Sequence, residues 1–222
     1  MRQLEVSRNR LLPTVSMGFF HETGGDYVGI DLASGVEQAL LHLWEIGCRR
    51  IACLVDASSY YSNAQQETRM AVGEERQDTY LRVLQSLGAT PEFIIAPEQT
   101  RESAHDTLRA HILERGCPNG VFCINDAVAD GALRALRDCG LRVPQDVAIV
   151  GCDGLRESAY AHPPLSTVAQ PLTEMCALAW QFLHHRIQNP AAPPQRVVLP
   201  ARLVVRESSQ GYLPSRTQAD IV

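Results

Sequence analysis

The sequence predicts an α/β fold with parallel strands, and three observations carry the prediction. Short apolar runs alternate with stretches of helical periodicity. Glycines at positions 47, 88, 116 and 140 each follow such a stretch, as glycines beyond a helix C-terminus do. Two apolar runs close on polar residues: Asn125 after residues 120–124, and Asp153 shortly after residues 147–151.

Taken in order, strands are expected at residues 13–17, 27–30, 50–55, 92–95, 120–124 and 147–151, and helices at 34–46, 74–87, 101–115, 126–138 and 172–187. Glu74 and Glu75 suit a first helical turn, where carboxylates face the positive end of the helix dipole. Asn125 and Asp126 can cap the fourth helix by accepting from its free amides. Ala129, Ala132, Leu133 and Leu136 recur there at helical spacing. Gly140 ends that helix and Pro144 prevents its continuation. Strand, helix and strand make a βαβ unit, which binds ligands at the carboxyl ends of its strands. Residues 56–73 read as a long polar loop bearing Tyr60 and Tyr61. The tail 210–222 reads as disordered.

At 222 residues, 45% hydrophobic and 20% charged, the chain has the composition of a soluble globular protein. No run of 18 apolar residues exists to span a membrane, and the first residues do not form a signal peptide. All 20 basic residues are arginine. The absence of lysine excludes Schiff-base chemistry and a Walker-type phosphate loop. A net charge of −5 without a basic block argues against nucleic-acid binding by this chain alone. Seven cysteines without a Cys-x-x-Cys pair read as free thiols in a reducing cytoplasm.

The stretch 119–154 resembles the effector-sensing domain of the LacI family of bacterial transcriptional regulators. The residues that carry this are Asn125-Asp126, Gly131, Ala135-Leu136, Gly140, Arg142 to Val147 and Gly151-Cys152-Asp153. His162 to Val168 with Gln170-Pro171 is similar to the family's crossover, and Leu199-Pro200 with Leu203 to Ser208 to its C-terminal strand. Val28, Asp31, Gly35, His42-Leu43 and Gly47 match upstream. The resemblance implies a periplasmic-binding-protein-like type I fold: two doubly wound parallel-sheet lobes around a ligand cleft. Against that pattern the first lobe is incomplete, because the chain begins near the last strand of its first half. Residues 1–47 and 168–190 are assigned to the N-terminal lobe, and 48–167 and 196–209 to the C-terminal, effector-binding lobe.

Arg76, Asn125 and Asp153 are the candidate ligand groups. Arginine offers a rigid donor fork, aspartate accepts two hydroxyl protons and asparagine does both, a set suited to a polyhydroxy ligand. The resemblance implies effector contact at these three positions, a cleft-lining role for Gln170, and an often aromatic position at Ile30. Arg76 is matched through Arg-x-x-x-Tyr-x-x-x-Leu, with Thr79 where the family has glycine; Arg69 is the competing arginine. A capping role for Asn125, a turn-bonding role for Asp153 and pairing of Arg76 with Glu74 or Asp78 stay open beside the ligand roles. Gln99 stands where the family often stacks an aromatic ring, leaving Phe19, Phe20, Tyr60 or Tyr61 as substitutes.

Other patterns are bland. His184-His185 project about 100° apart on a helix and do not share a metal, so no metal site or cofactor is expected. His42 with Glu45 reads as a helix-surface pair. Glu98, Asp126 and Asp153 are conceivable glycosidase carboxylates, but no catalytic constellation is readable. The expectation is a cytoplasmic, non-enzymatic, homodimeric sensing domain for a sugar or sugar derivative, allosterically coupled to DNA through a headpiece absent from this chain. The alternatives are a soluble sugar-binding protein of the periplasmic type, an enzyme on the same scaffold, and a truncated remnant.

Overall fold

The computed structural model describes residues 12–18, 25–64 and 75–212, with backbone alone at 61–64. The elements run β1 (Val15–Gly18), β2 (Asp26–Asp31), α1 (Leu32–Glu45), β3 (Ile51–Asp56), α2 (Ala57–Ala64), α3 (Glu75–Ser86), β4 (Glu92–Ala96), α4 (Arg101–Arg115), β5 (Gly120–Cys123), α5 (Asp126–Asp138), β6 (Ala148–Asp153), a 3-10 turn (Arg156–Tyr160), β7 (Ser166–Ala169), α6 (Leu172–Gln188), β8 (Arg196–Pro200) and β9 (Arg202–Val204). The chain divides into two compact units: Met1–Asp31 with Pro171–Pro200, and Leu32–Gln170 with Ala201–Val222.

In the first unit three parallel strands form a sheet in the order β1-β2-β8. α6 packs against β1 and β2. β2 is central and is buried from Asp26 to Ile30. Its first residue is a carboxylate, and burying an unpaired one is costly. Arg186 of α6 removes that cost with two bonds to Asp26, Nε to Oδ2 at 2.8 Å and Nη2 to Oδ1 at 2.9 Å. The backbone N–H of Gln195 donates to Oδ1 at 2.7 Å. Arg186 thereby holds the Asp26 carboxyl below the usual carboxylate range.

The second unit is a six-stranded sheet ordered β4-β3-β5-β6-β7-β9, parallel except for β9, which runs antiparallel to β7. β3, β5 and most of β6 are buried on both faces, as expected for strands covered by helices on each side. The connection from β3 to β4 runs one way across the sheet, and those from β4 to β5 and β5 to β6 run the other. Right-handed crossovers then place α3 on one face and α4 and α5 on the opposite face. α1 packs beside α3, and α4 beside α5. The order reverses between β3 and β5, and open parallel sheets take ligands at the carboxyl ends of strands beside such a reversal.

Several elements differ from the sequence expectation. The boundary read at residue 47 assigns α1 to the first lobe, whereas α1 packs on α3, β7 and β9 and belongs to the second unit. Residues 57–64, read as loop, form α2. Its sequence ASSYYSNA has no apolar stripe, so periodicity is silent; the start is set by Asp56. That carboxylate accepts from the Ser58 hydroxyl, from Ser59 Oγ at 2.7 Å and from the Ser59 backbone N–H at 2.9 Å. The tail assignment begins too early: Tyr212 is buried, and residues 213–222 lie outside the described residues.

Candidate ligand-binding site

Asn125 lies one residue beyond β5, after Ile124, and caps α5. Its backbone is extended (φ −153°, ψ 172°), and its Oδ1 accepts from the Val128 N–H at 2.7 Å. The cap uses the oxygen and aims the residue at the carboxyl end of β5. Arg76, in the first turn of α3, reaches the same place: its Nη1 donates to the Ile124 carbonyl at 2.6 Å. One guanidinium nitrogen is thereby tied to the strand end beside Asn125.

Asp153 ends β6, the neighbouring strand. Its φ of 144° makes it the one non-glycine residue with a positive φ among the described residues. Such a backbone costs on the order of 1–3 kcal/mol and persists where the surroundings enforce it, often at functional sites. Gly154 follows with φ 75°, and a Cβ there would lie 2.7 Å from Ala169 Cα, so only glycine fits. Gln170, just past β7, donates from Nε2 to Asp153 Oδ1 at 3.0 Å. Burial pushes the Asp153 carboxyl up to about 6, helped by the nearby Asp126 and opposed by Arg76, the Asp126 backbone N–H and Gln170.

The structure therefore brings Arg76, Asn125, Asp153 and Gln170 to the carboxyl end of the second unit's sheet. The capping reading of Asn125 holds, and the cap leaves the residue at the carboxyl end of β5. Ile30 lies in the first unit, buried in β2 opposite Leu199. Arg69, Phe19, Phe20 and Glu74 lie outside the described residues, as does the side chain of Tyr61. Tyr60 is engaged in an edge-on contact with Phe93, centroids 5.2 Å apart.

Asp126 has a larger part than the helix-start role read from sequence. It is 3% exposed, and both its oxygens accept hydrogen bonds: one from Leu155 and Ser158, after Asp153, and the other from Thr167 on β7. The only sequence signal was its place beside Asn125. His42 is also corrected: rather than pairing on the surface with Glu45, it is half-buried and its Nε2 bonds Ser209 Oγ at 2.8 Å. His184 and His185 are exposed, bonded to Gln188 and Asn189 on their own helix. All seven cysteines are free; Cys48, Cys53, Cys123 and Cys152 are buried. Among the described residues no group of three His, Cys, Asp or Glu side chains gathers as a metal site, and no helix is long and apolar enough to cross a membrane.

A family model described as a periplasmic binding protein-like domain matches residues 40–209. The chain belongs to the periplasmic binding protein-like domain family. Within it, the relatives match the LacI-type resemblance read in the sequence. The chain is 32% identical to the HTH-type transcriptional repressor MelR of Bacillus subtilis over 184 residues, 82% of this chain and 52% of that protein. It is 30% identical to the ribose operon repressor of Haemophilus influenzae over 209 residues, 93% of this chain and 60% of that protein. The chain thus spans little more than half the length of these relatives. Among solved structures it superposes on a LacI family regulator of Arthrobacter in complex with lactose, with TM-score 0.76 and 29% identity, covering 89% of this chain and 71% of that one. A CelR–cellobiose complex gives TM-score 0.70 at 32% identity, covering 87% and 58%. The periplasmic-binding-protein-like fold of LacI-family effector domains is accordingly the fold of this chain.

Proposed function

We propose that this chain is the ligand-sensing domain of a LacI-type transcriptional regulator, and that it binds a sugar or sugar derivative through Arg76, Asn125, Asp153 and Gln170. The observation that carries the reading is the gathering of these four side chains at the carboxyl ends of β5, β6 and β7, beside the point where strand order reverses. A donor fork, a carboxylate and two amides match the alternating donors and acceptors of vicinal hydroxyls. Relatives of this family are named for ribose or were solved with lactose or cellobiose.

Binding without turnover is the chemistry proposed. Asp126, the nearest candidate for a second catalytic carboxylate, has both oxygens occupied by protein donors. Ligand binding shifts the population of the regulator between states of different DNA affinity. DNA contact is assigned to a headpiece outside this chain, and a homodimer in the cytoplasm is the proposed setting. Free rather than paired cysteines support a reducing compartment over a periplasmic one.

Calorimetric titration with ribose, lactose, cellobiose and related pentoses, hexoses and sugar acids tests the proposal. Saturable binding without conversion of the sugar is expected. Folded protein that binds none of them, or that turns one over, contradicts it.

A further inference from the structure

Asp126 is a buried carboxylate whose three side-chain partners are all neutral. Its Oδ2 accepts from the Leu155 backbone N–H at 2.8 Å and from Ser158 Oγ at 2.6 Å, and its Oδ1 from Thr167 Oγ1 at 2.6 Å. These donors come from three places: the turn after β6, the 3-10 turn, and β7. Thr167 Oγ1 in turn accepts from the Gly154 N–H at 3.1 Å. Asp126 thus grips the chain just after the Asp153–Gly154 link, at Leu155 and Ser158, and reaches the link itself through Thr167; both residues of the link hold positive φ. The Asp126 backbone N–H, at the start of α5, favours the ionised form of the Asp153 carboxyl. Gly151 leaves the space that this carboxylate fills, since a Cβ there would collide with Asp126 Oδ1.

Burying a charge without a cation is costly, and a neutral side chain of similar shape would close the same core more cheaply. A strained turn, by contrast, needs a strong acceptor to hold several donors at once. We propose that Asp126 is a positioning residue for ligand binding: its carboxylate fixes the turn that presents Asp153 to the ligand. The inference rests on the reading of Asp153 as a ligand group.

The charge of Asp126 gives this role a signature beyond fold maintenance. The charged and titratable groups facing Asp153 are Asp126 on α5, Arg76 on α3 and Cys152 on its own strand. Removing the Asp126 charge leaves burial alone to oppose Arg76, so Asp153 ionises at lower pH.

The test uses Asp126→Asn, Asp126→Ala and Thr167→Val, each confirmed folded by circular dichroism. The Asp153 carboxyl carbon is followed by NMR from pH 4 to 8 without ligand. Affinity for the tightest binder among ribose, lactose and cellobiose is measured across the same range. Asp126→Asn, which has one accepting oxygen where the carboxylate has two, is expected to titrate Asp153 at lower pH and to lose part of the affinity at pH 7.5, less than Asp126→Ala loses. Asp126→Ala, or Thr167→Val if the alanine variant does not fold, is expected to lose about tenfold or more at every pH, the effect of unmaking hydrogen bonds to a buried charged group. An Asp153 titration unmoved in Asp126→Asn, or affinity unchanged in Thr167→Val and Asp126→Ala, overturns the proposal. If the unaltered chain binds no sugar, the ligand reading fails by itself. The titration, with amide exchange at 153–155 in the variants, still decides the positioning role.

Discussion

Gln170 Nε2 donates to Asp153 Oδ1 across 3.0 Å, and the Gln170 backbone N–H donates to the Asp153 carbonyl at 3.3 Å. Gln170 is the last residue of the second unit before the chain crosses to the first at Pro171. The side chain proposed to hold a ligand hydroxyl is thus bonded to the residue at the crossover. A ligand bonded to Asp153 Oδ1 would have to displace Gln170 from it.

The first prediction concerns pH. Asp153 accepts two hydroxyl protons only when ionised, and its carboxyl titrates near 6. Above that value the site is ready; below it, binding must compete with a proton. Sugar affinity is expected to weaken roughly tenfold between pH 7 and pH 5 and to level off above pH 7. Calorimetry in matched buffers measures this. A flat profile over that range means that Asp153 does not contact the ligand as a carboxylate.

A second prediction separates function from stability at the same residue. Asp153→Gly relieves the φ of 144°. It also removes a carboxyl whose raised titration favours folding at low pH and loses that contribution as pH rises through about 6. The variant is expected to be more stable than the natural chain by on the order of 1 kcal/mol at pH 7, after the entropic cost of glycine, while losing the sugar. Urea melts at pH 7 provide the comparison, and a destabilised glycine variant would show that the turn is unstrained.

Gly154→Ala supplies the converse. A methyl group there meets the Ala169 backbone and must also hold φ 75°. Loss of roughly 2 kcal/mol or more is expected, with sugar binding impaired even where the protein stays folded. Full stability in the same melt experiment would show that the β6–β7 turn can yield.

In the first unit, the Asp26–Arg186 pair sets a different acid response. Asp26 titrates below its ordinary value, so its contribution is present above the usual carboxylate range and is lost as pH falls through the lowered folded value. Asp26→Asn is expected to lower the melting temperature at pH 7, with the gap to the natural chain closing steadily below pH 4. An equal gap at all pH values would show that packing, not charge, is what the substitution disturbs.

Much of this was legible in the residues. Apolar runs marked β3, β5 and β6 because these strands are buried on both faces over most of their length, and Gly47, Gly88, Gly116 and Gly140 marked where helices stop. Asn125 and Asp153 stood out because a polar residue ending a buried strand must have a partner or a purpose. α2 was hidden because a carboxylate and two serines start it rather than an apolar stripe. His42 looked like a surface residue because Ser209, its partner, lies far along the chain. The grip of Asp126 was invisible for the same reason: Ser158 and Thr167 come to it only through the packing of β6 and β7.

The central claim is that Asp153 and its neighbours at the second unit's strand ends hold a sugar. Calorimetric titration of Asp153→Ala beside the natural chain, with the sugar that the natural chain binds, tests it most directly. The account predicts at least a tenfold loss of affinity in a variant whose melting curve shows it still folded. Unchanged affinity in that variant would contradict it.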